Sequence, residues 1–155
     1  MLELVDKLAR EHALSQDEYA MLIDGRTPAL ADELAGRARE ACEAVYGNAV
    51  FARGLIEFTN ICKNDCYYCG IRRSNGACER YRLTREQILA CADAGWRAGF
   101  RTFVLQGGED PAVTDEWLAE LIGALKAAHP GCAVTLSVGE RSRESYRHLR
   151  AAGAD

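Results

Sequence analysis

Three cysteines set close together, Cys62, Cys66 and Cys69, carry the strongest chemical signal in the chain. They form a C-x3-C-x2-C pattern on a segment without apolar periodicity, just after the apolar stretch Leu55-Ile-Glu-Phe-Thr-Asn60. A loop of this kind can turn all three sulfurs toward one inorganic centre. A tetrahedral zinc ion and a cubane iron–sulfur cluster both take four ligands, and thiolates suit either. Three thiolates therefore leave one position open. On a [4Fe-4S] cube, an open iron is a place where a small chelating ligand binds and receives an electron. Cys78, nine residues after Cys69, offers a different completion, a structural zinc site of four sulfurs.

The aromatic Tyr68 immediately precedes Cys69, and the run Asn64-Asp-Cys-Tyr-Tyr-Cys-Gly-Ile-Arg-Arg-Ser-Asn75 is followed by Arg80-Tyr-Arg-Leu-Thr84. This pattern resembles the radical S-adenosylmethionine (radical SAM) enzymes. Within them it is most like the branch that contains the [FeFe]-hydrogenase maturase HydE and methylornithine synthase, with biotin synthase more distant. The resemblance runs from about Gly54 to Asp155. It implies a [4Fe-4S] cluster held by Cys62, Cys66 and Cys69, with S-adenosyl-L-methionine bound at the open iron. It also implies that the ring of Tyr68 packs near the adenine or covers the cluster. Gln106-Gly-Gly-Glu109 resembles the GGE motif of the family, in which Gly107 and Gly108 let the backbone approach the ligand and Glu109 accepts a hydrogen bond from the methionyl ammonium. Ser137, at the end of the third strand, is expected to be a further contact to S-adenosylmethionine. The implied activity is formation of a 5'-deoxyadenosyl radical in a HydE-like role in hydrogenase maturation, with methylornithine synthase or biotin-synthase-like chemistry as the alternative. The implied partners are a small-molecule or organometallic substrate, an electron donor such as ferredoxin or flavodoxin, and other hydrogenase-maturation proteins. No side chain of this segment is expected to act as a catalytic acid, base or nucleophile.

Composition narrows the remaining classes. A chain of 155 residues, 48% hydrophobic and 27% charged, fits a globular domain with one real core. A formal net charge of -4, with no Lys/Arg-rich run interleaved with aromatics, argues against nucleic acid as a partner. The N-terminal Met-Leu-Glu-Leu-Val-Asp-Lys-Leu has neither the pattern of a signal peptide nor a membrane-spanning run, so the expected location is the cytoplasm. Seven cysteines in a reducing compartment point to metal or catalysis before disulfides. Cys42, Cys91 and Cys132 read as small buried hydrophobes. Arg72, Arg73 and Asn75 lie where an anionic substrate or solvent would meet them. His12, His129 and His148 have no partner motif.

The elements that must position these residues follow from periodicity and caps. Residues 1–50 read as a helical extension: apolar spacing from Leu2 to Ala9, a capping box at Ser15-Gln-Asp-Glu18, and Thr27-Pro28 opening a helix that ends at Gly47-Asn48. From 51 to 155 the pattern alternates strand and helix: strands at 55–60, 101–106 and 133–138, with helices opening at Thr84, Thr114 and Ser142. This predicts an α/β fold of about three βα units, the N-terminal part of the TIM-like (β/α) barrel implied by the resemblance. The chain stops where a fourth strand is expected to begin, so we expect a partial barrel with an open edge.

Overall fold

The computed structural model describes all residues 1–155 and divides them into two compact units, Met1–Val50 and Phe51–Asp155. The first unit is three helices: α1 (Leu2–Glu11), α2 (Gln16–Asp24) and α3 (Pro28–Tyr46). Ser15 caps α2 with the full reciprocal capping box, and Thr27 caps α3 ahead of Pro28. Each cap satisfies an amide that the first helical turn leaves unpaired. A small cluster of Val5, Leu22 and Leu30, with Leu4, Leu14 and Leu34 against it, holds the helices together.

The expected apolar stripe of α3 is buried only at its start. At 1.5 Å per residue, the 19 residues of α3 outrun the 10 and 9 residues of α1 and α2. From Ala38 onward every residue of the helix is therefore exposed, including Val45 and Cys42. The expectation that Cys42 is a buried hydrophobe is thus corrected.

The second unit is a parallel sheet of β1 (Gly54–Thr59), β2 (Thr102–Gly107) and β3 (Ala133–Ser137) in the order β1-β2-β3. Helices α4 (Arg85–Arg97), α5 (Asp115–Ala128) and α6 (Arg143–Ala151) follow the three strands. Crossovers that all step the same way, with the usual right-handed sense, put the helices on one face. The core lies there. Ile56, Phe58, Phe103, Leu105 and Val134 point from the sheet into Ile88, Ala92, Leu118, Leu121, Ile122 and Leu125. The opposite face, with Leu55, Glu57 and Val104, stays exposed or half-buried.

The strands lie within a residue of their expected bounds. Thr84, Thr114 and Ser142 cap α4, α5 and α6 as their sequence suggests. Helix α4 ends through Gly99 at φ +100°, with the Phe100 amide donating back to Gly95 O. Cys132 is buried as expected, and burial raises its thiol pKa. Cys91 is not: one step along α4 from buried Ala92, it turns about a hundred degrees out of the core and into solvent.

Candidate functional site

The cysteine loop is the long connection from β1 to α4. It folds without a regular ladder, so its backbone groups need other partners. Arg80 supplies many of them. Its Nη1 donates to the carbonyls of Asn60 (2.6 Å) and Ile71 (2.8 Å), and its Nη2 to those of Arg72 (2.7 Å) and Asn75 (3.3 Å). One guanidinium, with its donors in a fixed fork, thus gathers both ends and the middle of the loop. Asn60 adds a second clasp, donating to Glu79 O and accepting from the Tyr81 amide. The loop returns to the sheet at the antiparallel bridge Thr59↔Arg82, where the Leu83 amide donates to Phe58 O.

Cys62 and Cys69 are half-buried on this loop and Cys66 is exposed. All three are free thiols, and the Cys69 amide donates to Cys66 O at 3.0 Å to form the turn between them. Cys78 is engaged elsewhere, with its sulfur 3.6 Å from Asn60 Nδ2 and 3.7 Å from Glu79 O. No group of three or more His, Cys, Asp or Glu side chains is gathered closely enough to hold a single metal ion. Three free thiols on one stapled loop fit a four-iron cube in number and chemistry.

The loop after β2 packs directly against the start of the cysteine loop, at Ile61 and Cys62. Gly108 has no room for a side chain: a Cβ there would overlap the carbonyl oxygen of Ile61 and sit 2.9 Å from Cys62 Cβ. Only glycine lets the two loops approach this closely. The Gly108 amide donates to Thr59 O, and the Lys63 amide donates to Glu109 O at 3.0 Å. The Glu109 carboxylate therefore lies over the cysteine loop. It accepts from Asn64 Nδ2 at 2.8 Å on Oε1 and has Lys63 Nζ at 3.4 Å on Oε2. A polar cleft of about 180 Å³ opens beside it, lined by Lys63, Glu109, Asp110, Val138, Glu140 and Arg141.

Asp110, one residue on, anchors this arrangement. Its carboxylate accepts from Arg82 through two bonds, Nε at 2.7 Å and Nη2 at 2.8 Å, from the Thr59 hydroxyl at 3.0 Å and from the Ala112 amide at 3.0 Å. The Arg82 guanidinium holds the carboxyl below its ordinary range, with the Ala112 and Thr59 bonds acting in the same direction against burial. The same pairing raises the Arg82 pKa. The end of β1, the return of the cysteine loop and the Gly-Gly-Glu turn are thereby tied at one point.

Of the residues singled out from sequence, the fold brings Cys62, Cys66, Cys69, Gly107, Gly108 and Glu109 to the carboxyl ends of β1 and β2. Ser137 ends β3, in register with Gln106, and its side chain is exposed. Tyr68 is 93% exposed, with its ring in solvent rather than over the cysteines. The Arg72 and Asn75 backbones serve the Arg80 clasp, and Asn75 Nδ2 donates to Gly70 O, so these two shape the loop.

Sequence reading missed Arg80, Asp110, Arg82, Asn64 and Lys63 as site-building residues. Arg80 and Arg82 stand in a motif that sequence recognises only as a string, because the carbonyls they meet are not visible in it. His129, assigned no partner, is buried, with Nε2 2.7 Å from Asp93 Oδ1 and its ring stacked on Trp96 at 4.9 Å. This cluster joins the last turns of α4 to the end of α5, at the opposite end of the strands from the cysteine loop.

The model of the radical SAM superfamily matches residues 56–155. Among characterised proteins, the chain is 38% identical to the [FeFe] hydrogenase maturase subunit HydE of Thermotoga maritima over 154 residues, which is 99% of this chain and 43% of that protein. Among solved structures it is similar to methylornithine synthase (TM-score 0.82, 28% identity, 98% of this chain and 45% of that one). It is likewise similar to the [FeFe]-hydrogenase maturase HydG (TM-score 0.85, 25% identity, 99% of this chain and 35% of that one). The chain thus spans less than half the length of each. No helix is long and apolar enough to cross a membrane.

Proposed function

Because this chain belongs to the radical SAM superfamily, we propose that it is the cluster-binding part of a radical S-adenosylmethionine enzyme of the HydE kind, serving maturation of [FeFe]-hydrogenase. The observation that carries the reading is the placement of three free thiols on an Arg80-stapled loop, with Glu109 latched over that loop by Asn64. Cys62, Cys66 and Cys69 would hold the [4Fe-4S] cluster, and Gly107, Gly108 and Glu109 would receive S-adenosylmethionine, with Ser137 and Tyr68 as further contacts. When bound, the pair supplies an electron and a cleavable sulfonium, and so a 5'-deoxyadenosyl radical.

The chain's own residues orient and shield. Gly108 lets the Glu109 turn reach the cysteine loop. The Asp110–Arg82 pair fixes that turn against β1, and Glu109 presents a carboxylate to a ligand ammonium. The partners in this reading are a small-molecule or organometallic substrate, an electron donor such as ferredoxin or flavodoxin, and other hydrogenase-maturation proteins. A methylornithine synthase role is the second reading, favoured by the similarity to that structure over nearly the whole chain. Biotin-synthase-like chemistry stands behind both.

Anaerobic reconstitution of single Cys→Ala variants, with iron and sulfide counts, tests the core of the proposal. Loss of the cluster in Cys62→Ala, Cys66→Ala and Cys69→Ala, with retention in Cys78→Ala, is the expected result. Equal loss in Cys78→Ala would return the site to four sulfurs.

A further inference from the structure

We propose that Lys63 and Asn64 act on Glu109 in opposite senses: Asn64 positions the carboxylate for an amine ligand, whereas Lys63 is an internal ammonium that the ligand must displace. The inference rests on the reading of Glu109 given above and extends it to two residues of the cysteine loop itself.

The two contacts differ in kind. Asn64 is half-buried and meets Oε1 at 2.8 Å, a good hydrogen-bond length, and its own carbonyl is fixed by the Arg73 amide at 2.8 Å. Lys63 has a side chain 60% exposed, and its Nζ lies 3.4 Å from Oε2, beyond the 2.7–2.9 Å of a strong charge-assisted bond. The first contact is rigid and the second is loose. The Glu109 side chain is only 20% exposed and packs closely on Gly139, where an added Cβ would overlap Glu109 Cγ. The cleft that Glu109 lines is lined by Lys63 as well, so a ligand ammonium entering it meets both. A primary ammonium arriving there carries the same charge and the same donors as Lys63 Nζ. The two compete for one oxygen, while Asn64 keeps the other oxygen in place. Removing the Lys63 side chain leaves its backbone amide bonded to Glu109 O, so the loops stay joined.

The test is anaerobic equilibrium dialysis of labelled S-adenosylmethionine against the cluster-reconstituted chain, with iron content recorded for every variant. Lys63→Met is expected to tighten binding about two- to fivefold, the release of one exposed ion pair. Lys63→Arg should return it to the wild-type value. Asn64→Ala is expected to weaken binding about tenfold, the loss of a hydrogen bond to a charged group. Glu109→Gln is expected to weaken it by about tenfold or more.

If Glu109→Gln weakens binding and Lys63→Met leaves it unchanged or weaker, the competition is refuted while the role of Glu109 stands. If Glu109→Gln binds as wild type does, or wild type binds nothing at millimolar concentration, both fall. Should Asn64→Ala lose iron, Lys63→Met and Lys63→Arg decide the matter, since neither removes a loop contact other than the Nζ pair.

Discussion

Replacing Arg82 with alanine should destabilise residues 51–155 more than replacing Asp110 with asparagine, and the excess should shrink in acid. The Asp110 side chain is 1% exposed and the Arg82 side chain 41%. Removing the guanidinium leaves a buried carboxylate without a countercharge, a change that costs about 3–5 kcal/mol when both partners are buried. The outer part of Arg82 is already wet, and screening there reduces the cost to about 2–3 kcal/mol. Asp110→Asn keeps the shape and one acceptor oxygen for Arg82, Thr59 or Ala112, and should cost about 1–2 kcal/mol.

The pH dependence follows from linkage. In the native chain Arg82 depresses the Asp110 pKa, so the stabilisation is fully present above the ordinary aspartate value of about 4 and is lost as pH falls through the depressed native value. In Arg82→Ala the main cause of the depression is gone and the native value moves up. Protonation then relieves the variant first, and the gap between variant and wild type narrows as pH falls through the variant's native value toward the depressed wild-type one. Urea titration read by tryptophan fluorescence suits the measurement, because Trp96 and Trp117 both lie in this unit and Trp117 packs on Phe58 at 5.7 Å. A cost for Arg82→Ala below about 1 kcal/mol, or a gap that widens in acid, would refute the assignment of this pair as the anchor of the site.

Arg80→Met should open the cysteine loop, since four carbonyls lose their donor at once; limited proteolysis is expected to cut within residues 60–80 at a rate at least several-fold above wild type, and an unchanged rate would contradict the stapling role. Gly139→Ala, at φ +81° and against Glu109 Cγ, should displace the Glu109 carboxylate. Iron content should hold while affinity for S-adenosylmethionine falls about tenfold, and intact affinity would show that Glu109 is not its partner.

Much of this arrangement is legible in sequence because local rules dominate it. Capping residues at Ser15, Thr27, Thr84, Thr114 and Ser142 open five of the six helices where they are expected, and the apolar runs at β1, β2 and β3 become adjacent parallel strands. The C-x3-C-x2-C spacing and the Gly-Gly-Glu turn both mark strand ends, so their proximity follows from the βα order. What sequence does not show is long-range. Arg80 and Arg82 look alike as arginines in a loop, yet one collects carbonyls and the other pairs with a buried aspartate 28 positions away. Asn64 reads as a spacer between cysteines until β2 brings Glu109 to it. Cys42 and Cys91 read as core because apolar neighbours surround them in the chain, and the helix turns both outward. Tyr68 takes its expected role from resemblance, whereas its ring stands in solvent.

The most direct test of the central claim is a Mössbauer spectrum of the chain reconstituted anaerobically with 57Fe, recorded with and without S-adenosylmethionine. Three protein thiolates on a four-iron cube predict one iron that differs from the other three, and a change at that iron alone when the amino and carboxylate groups of the ligand arrive. A spectrum of four equivalent irons that S-adenosylmethionine leaves unchanged, or no four-iron signal at all, would contradict the assignment of Cys62, Cys66 and Cys69 as the ligands of an open cluster.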